Sequence, residues 1–199
     1  MLEVIPYNGR VMHTLEKWQT GDIEAFEALF QQHKGLVLKT AMLIINNAEE
    51  AEDILQEVFM NIWRKRQAFD STKGKFTTWL YRVAVNQSID RYRKKKLATI
   101  SIEGANYDPY STYSKDQPDK ALEINWEHKR LMEAIDILNN DHRVVLILRY
   151  LNDLSIKEVA EVLDIPVGTV KSRTHHALKS LYRQMTAVRD INGLDRGKQ

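Results

Sequence analysis

One stretch, Ser155 to Leu181, limits the possible folds more than any other part of the chain. It opens Ser155-Ile156-Lys157-Glu158, the pattern in which a hydroxyl and a carboxylate three residues apart satisfy each other's backbone donors at a helix start. Ile156, Val159, Ala160 and Leu163 then recur at i, i+3, i+4 and i+7, so one side of a short helix is apolar. Asp164-Ile165-Pro166 ends it, because proline disfavours a helical residue before it and suits the first position of a new helix. In that second helix Val167, Val170, Thr174, Ala177 and Leu181 fall on an inner side. Lys171, Ser172, His175, His176 and Lys179 fall on the other. Two short helices, a tight turn and an outward row of donors predict a helix-turn-helix, whose natural ligand is the major groove of DNA.

A helical hairpin with a merely solvated face is the competing explanation. Against it, every formally charged side chain from Val167 to Arg189 is positive: Lys171, Arg173, Lys179, Arg183 and Arg189. The outer row mixes hydroxyls, imidazoles and ammonium groups suited to phosphates and base edges, with no glutamate to make helix-surface ion pairs. Gly168-Thr169 adds a close-approach backbone and a hydroxyl near a helix start.

The 199 residues allow one large or two small domains. With a net charge of +2, basicity matters only where it is local. The absence of cysteine removes disulfides, thiolate zinc sites and a cysteine nucleophile together. No apolar run approaches the roughly 20 residues of a membrane span. Met1 to Trp18 lacks the apolar core of a signal peptide, so a soluble cytoplasmic protein is expected.

Pro6 and Asn8-Gly9 read as turns, so residues 1–19 are expected to be an N-terminal extension whose first dozen residues are loose. Gly21-Asp22 opens a helix with Ile23, Phe26, Leu29, Phe30 and His33 at helical spacing, and Val37, Ala41 and Ile44 continue it. His33 reads as a core or boundary histidine rather than a ligand. Asn46-Asn47 can cap the next helix, in which Ile54, Leu55, Val58, Phe59, Ile62 and Trp63 form an apolar side. Glu49, Glu50, Glu52 and Asp53 suit the dipole of its first turn. Gln56 and Glu57 lie further in; periodicity alone makes them a solvated face. A polar loop, Phe69 to Phe76, leads to a helix over Thr77 to Lys96 that interleaves aromatics, amides and guanidinium groups. Trp79 by itself reads as core. The segment's surface matches what a single strand needs, rings to stack bases and cations to follow phosphates. Residues 98–120 hold Gly104, Pro109 and Pro118 and more acid than base, the composition of a flexible acidic linker. Helices over Ala121 to Leu138 and Asp141 to Tyr150 precede the helix-turn-helix, and residues 189–199 read as a frayed tail. The expected fold is all-α, two small helical bundles over 20–97 and 121–188.

Taken in order, these features resemble the bacterial RNA polymerase sigma factors of the extracytoplasmic-function (ECF) type, the smallest of the sigma-70 class. The resemblance lies in Ala51-Glu52-Asp53-Ile54-Leu55-Gln56-Glu57-Val58-Phe59 with Trp63, and in Phe69, Gly74, Phe76 and Trp79-Leu80. Asn86, Asp90, Arg91 and Arg93 extend it, and Gly168-Thr169-Val170-Lys171-Ser172-Arg173 carries it in the rear bundle. It covers roughly Gly21 to Leu97 and Leu122 to Val188.

That resemblance implies a sigma-2-like front domain and a sigma-4-like rear domain in a non-enzymatic initiation factor without cofactor or metal. Asp53, Gln56 and Glu57 would then dock a coiled coil of the polymerase's largest subunit, reversing the solvated reading of Gln56 and Glu57. The −10 non-template strand would be captured by Phe69, Lys73, Lys75 and Phe76 of the loop. Trp79, Tyr81, Arg82, Asn86, Asp90, Arg91, Arg93 and Lys94 of the following helix would complete that site. Base stacking of ~1–3 kcal/mol per base and the few kcal/mol cost of extruding one are of similar size, so such a pocket tips duplex opening without ATP. Lys171, Ser172, His175 and His176 would read −35 base edges, with Thr169, Arg173 and Lys179 holding phosphates. The linker would thread the polymerase's RNA channel. Implied partners are core polymerase (coiled coil and flap), promoter DNA and an anti-sigma factor, with the chain a monomer in the holoenzyme. No regulatory domain is evident after Arg189, so control is expected from expression or a separate protein.

The chain departs from the family pattern at Thr174, His176 and Leu178, where an apolar residue and two arginines are frequent. Failure to meet one base edge costs about 1–3 kcal/mol of discrimination, so the promoter sequence does not carry over. Adjacent His175 and His176 suggest pH-sensitive −35 binding, since histidine titrates near neutrality. Two other readings compete. A duplex-binding regulator leaves the aromatic-basic helix unexplained. An enzyme acting on nucleic acid lacks any nucleophile or paired metal carboxylates beyond the i,i+4 pair Asp53 and Glu57, a common surface arrangement.

Overall fold

The computed structural model describes residues 7–101 and 130–194, and it divides into two compact units, residues 1–105 and 106–199. Every regular element among the described residues is helical. The linker over 98–120 is described only as far as Ser101, where it is still helical; the rest of it, and residues 121–129 of the next helix, lie outside the described residues.

The first unit begins with α1 (Tyr7–Thr20), where the sequence predicts a loose extension. Asn8-Gly9 sits inside the helix instead of forming a turn, because the apolar residues that follow are anchored: Leu15 is buried and Trp18 has no exposed surface. Gly21, at φ 98°, supplies the left-handed residue that turns α1 into α2 (Ile23–Ile45). Its amide donates to Trp18 O at 2.9 Å, and that of Asp22 to Lys17 O at 3.0 Å. Asp22 then caps α2, its carboxylate accepting from the Ala25 amide at 3.0 Å. The expected Asn46-Asn47 punctuation divides its work. Asn46 closes α2 in the left-handed conformation, and Asn47 caps α3 (Ala48–Arg64) by accepting from the Glu50 amide. A short 3-10 turn (Arg66–Ala68) and the loop follow, then α4 (Phe76–Ser101). Helix α2 is central, packing on α1, α3 and α4, while α3 also packs on α4.

In the second unit, the described end of α5 (residues 130–136) leads to α6 (Asn140–Leu146), capped by Asn139. The chain then widens into a π-type turn (Ile147–Leu151), where a continuous α-helix to Tyr150 is expected. The wider turn leaves both Ile147 and Leu148 without exposed surface. Helices α7 (Ile156–Leu163) and α8 (Val167–Leu194) complete the unit. Leu138, Leu146 and Ala177 share a core with Leu181 against it, so α8 is held by the residues predicted for its inner side. Val167 is the exception at 40% exposed. The helix runs to Leu194, through residues read as tail; 195–199 lie outside the described residues.

Among the described residues of this unit, Arg143 is the buried charge, 1% exposed. Its guanidinium pairs with the Asp136 carboxylate at 3.2 Å and donates to the carbonyl oxygens of Ile135 (3.3 Å) and Asp136. Those carbonyls sit where α5 ends, and Ile135 O also accepts from the Leu138 amide at 3.1 Å. One arginine thus closes the α5–α6 corner.

Candidate nucleic-acid interface

The rear face is built by the capping box read from the sequence. The Ser155 hydroxyl accepts from the Glu158 amide at 3.2 Å, and the Glu158 carboxylate accepts from the Ser155 amide at 3.0 Å. Asp164 ends α7 in the left-handed conformation at φ 54°. Pro166 O accepts from the Thr169 and Val170 amides at 2.9 and 3.1 Å and starts α8. Val170 and Ala177 have no exposed surface and fix the helix's rotation. With that rotation set, Lys171, Ser172, His175, His176 and Lys179 are all exposed. Thr169 is half-buried, and its carbonyl accepts from the Ser172 hydroxyl at 3.0 Å.

Arg173 departs from the phosphate-holding group expected of it. It is tied to Asp141 of α6, Nη2 to Oδ2 at 2.7 Å, and so braces α8 against α6. His176 also gains a neighbour the sequence did not reveal. The ring of His142, from α6, stacks on it with centroids 6.4 Å apart, and His175 lies edge-on at 5.6 Å.

In the first unit the candidates separate into three groups. Phe69 and Phe76 are 5% and 6% exposed, so they are interior side chains instead of surface rings offered to a base. They pack edge-to-face at 5.5 Å, with Trp18 and Trp79 against both. Tyr81 is likewise buried, because it falls on the side of α4 opposite Trp79. These three therefore shape the site from within.

The second group faces outward. At ~100° per residue, Trp79, Arg82, Asn86, Asp90, Arg93 and Lys94 fall on one side of α4. Asn86, Asp90, Arg93 and Lys94 are exposed, and Trp79 and Arg82 are half-buried at the upper end. Lys73 and Lys75 are exposed on the loop, with Lys73 paired to Asp70 at 3.3 Å. Asp70 organises that loop: it accepts from the Thr72 amide at 3.0 Å and hydroxyl at 2.6 Å, bonds that hold its carboxyl below the usual range.

The third group is Arg91, placed by the sequence among the strand-binding residues. It turns instead to α3, bonding Asp53 Oδ2 at 3.3 Å and the Glu57 carboxylate. Lys95 does the same to Glu50 at 2.6 Å. Asp53 and Glu57 keep more than half of their side-chain surface, and Gln56 is exposed beside them. The acidic face of α3 is thus accessible and partly neutralised from α4. Residues 34 and 38 apart make these bonds, a pairing no local pattern displays. No group of three or more potential metal ligands occurs among the described residues.

Comparison with known proteins finds one family match in each unit. Residues 29–97 match the family Sigma-70 region 2, and residues 128–181 match Sigma-70, region 4. The chain is 34% identical to the ECF RNA polymerase sigma factor SigW of Bacillus subtilis over 177 residues, covering 86% of this chain and 94% of that one. It is 32% identical to the ECF RNA polymerase sigma factor RpoE of Cereibacter sphaeroides, covering 83% and 88%. Two solved structures are similar in fold. CnrH, in complex with the cytosolic domain of CnrY, has a TM-score of 0.64 at 22% identity and covers 87% of this chain and 96% of CnrH. RpoE of Bartonella quintana, in complex with the anti-sigma factor NepR, has a TM-score of 0.59 at 21% identity and covers 81% and 96%. The chain belongs to the ECF RNA polymerase sigma factors, non-enzymatic proteins that bind core RNA polymerase and promoter DNA and start transcription at specific promoters.

Proposed function

We propose that the two units grip a promoter at separate elements, the second reading −35 duplex and the first holding an unpaired −10 strand. One observation carries this reading: in each unit the polar and basic side chains gather on one exposed side of a helix whose other side is core. On α8, Lys171, Ser172, His175 and His176 meet base edges, and Thr169 and Lys179 meet phosphates. On α4 and its loop, Trp79, Arg82, Asn86, Asp90, Arg93, Lys94, Lys73 and Lys75 form the strand-binding surface, with Phe69, Phe76 and Tyr81 supporting it from inside. Asp53, Gln56 and Glu57 form the docking face for the polymerase coiled coil. Docking there competes with Arg91 for the same carboxylates.

Linker residues 102–120 occupy the polymerase's RNA channel in this reading, their negative charge standing in for RNA. A separate inhibitory protein is a further candidate partner, since CnrH and the Bartonella RpoE are each described in complex with one other protein. In this reading the protein works in the cytoplasm, with polymerase on DNA; no helix among the described residues is long and apolar enough to cross a membrane.

Run-off transcription with core polymerase and a genomic DNA library tests the reading and yields the promoter sequence. Transcripts starting at a shared pair of elements are expected. Specific binding to duplex by a dimer of the chain, with no effect on polymerase, would show a conventional regulator instead.

A further inference from the structure

We infer that α1, through Trp18 and Gln19, positions the loop that captures the −10 strand, a proposal that rests on assigning strand capture to that loop. Helix α1 lies ahead of residues 29–97, the portion that matches region 2. Its last turn nevertheless reaches the loop at both ends. The Gln19 side-chain amide donates to Phe69 O at 2.7 Å and to Arg66 O at 3.4 Å. Those two carbonyls belong to the first residue of the 3-10 turn (Arg66–Ala68) and to the residue that follows it, where the chain enters the loop.

Trp18 holds the other side. Its indole, with no exposed surface, lies 6.2 Å from the Phe69 ring and 5.4 Å from the Phe76 ring, the residues that bracket the loop. It also lies 6.1 Å from Trp79, the half-buried ring that heads the outward side of α4. Between Phe69 and Phe76 the exposed segment is pinned internally by Asp70, through Thr72 and Lys73. Its orientation against α4 is therefore set by the buried brackets, and α1 fixes both. A pocket that selects one extruded base needs such a shell, because geometry displaced by an ångström costs selectivity before it costs binding. Among the described residues the Trp18 Nε1–H has no hydrogen-bond partner, and ring packing holds that indole.

The test uses holoenzyme assembled from the full chain. Its affinity is measured, by fluorescence anisotropy, for single-stranded −10 oligonucleotides carrying either the promoter base or a substituted base at each position. Gln19→Met keeps the length of the side chain and removes both donors; Gln19→Glu turns an acceptor toward the two carbonyls. Each is expected to lower the preference for the promoter base about five- to tenfold, the worth of one partly buried hydrogen bond. Core binding and −35 duplex binding should stay at the parent values, and the thermal midpoint should fall by no more than the loss of that one hydrogen bond. Replacement of residues 70–75 by a Gly/Ser segment of equal length is the comparison. If that replacement abolishes base preference and both Gln19 variants keep it, the role of α1 is overturned. A loss that comes with weaker core binding overturns it too, since α1 would then serve only the fold. Base preference surviving the Gly/Ser replacement would instead refute strand capture by the loop.

Discussion

His33 shows how one side chain can be read correctly in kind from sequence and still hold a consequence. It is buried, its ring 5.4 Å from that of Phe76, and desolvation lowers its pKa from 6.5. Below that value the unfolded chain takes up the proton that the folded chain resists. Stability from this residue is therefore whole above about pH 6.5 and lost as the pH falls through the lowered folded value. Urea unfolding at about pH 8 and pH 5 should show the fall, and His33→Gln should flatten it; parallel curves for the two proteins would refute the assignment. Arg91 behaves differently. Its partners are largely exposed, and such surface pairs contribute only about 0–1 kcal/mol. Arg91→Ala should leave the unfolding midpoint almost unchanged. By freeing Asp53 and Glu57, it should also tighten core polymerase binding in a fluorescence titration; weaker binding would mean that Arg91 preorganises the acids for docking.

At the scale of elements, the strongest determinants are those that satisfy helix ends. Ser155→Ala removes one half of the capping box and should cost about 1 kcal/mol in chemical denaturation. The α5–α6 corner depends on a longer-range device. Arg143→Met takes the ion partner from Asp136 and one donor from each of two carbonyls, Ile135 O keeping the Leu138 amide. Loss of one partner from a buried pair costs about 3–5 kcal/mol when fully enclosed. Asp136 retains a quarter of its side-chain surface, so a loss near the lower end, about 3 kcal/mol, is expected. Arg143→Met with Asp136→Leu should recover part of it. No recovery would place the stabilisation in the carbonyl bonds alone. Helix α1 has neither a cap pattern nor an unbroken apolar stripe before Leu15, and the Asn-Gly inside it mimics a turn. Its helicity comes from packing, which explains why local signals missed it.

For the whole molecule, the faces proposed for DNA reading and for polymerase docking lie on different helices and should fail separately. Lys171→Ala with Ser172→Ala removes two exposed donors from α8 and touches no core residue. Initiation at −35-dependent promoters should fall at least tenfold, each base contact being worth about 1–3 kcal/mol, while core binding persists. Loss of core binding in this variant would mean the second unit is misassigned. Gln56→Ala with Glu57→Ala should impair holoenzyme assembly in native gels and spare DNA contacts; unimpaired assembly would count against the α3 docking face.

Apart from α1 and the π-type turn, the order and type of the elements were legible in the sequence because helix periodicity, caps and breakers act within a few residues: Ser155 to Glu158, Asp22, Asn47 and Pro166 each act within three or four positions of themselves. The outward row on α8 was legible for the same reason, being the complement of an apolar stripe. Only tertiary structure decided which charged residues remain available. Arg91 went to Asp53 and Glu57, and Arg173 to Asp141, leaving the remaining polar side of each helix to face outward. Only tertiary structure buried Phe69, Phe76 and Tyr81 and recruited Trp18 and Gln19 beneath the loop. Those outcomes depend on residues tens of positions apart meeting across helices, where burial and charge pairing choose among partners that a one-dimensional pattern leaves equivalent.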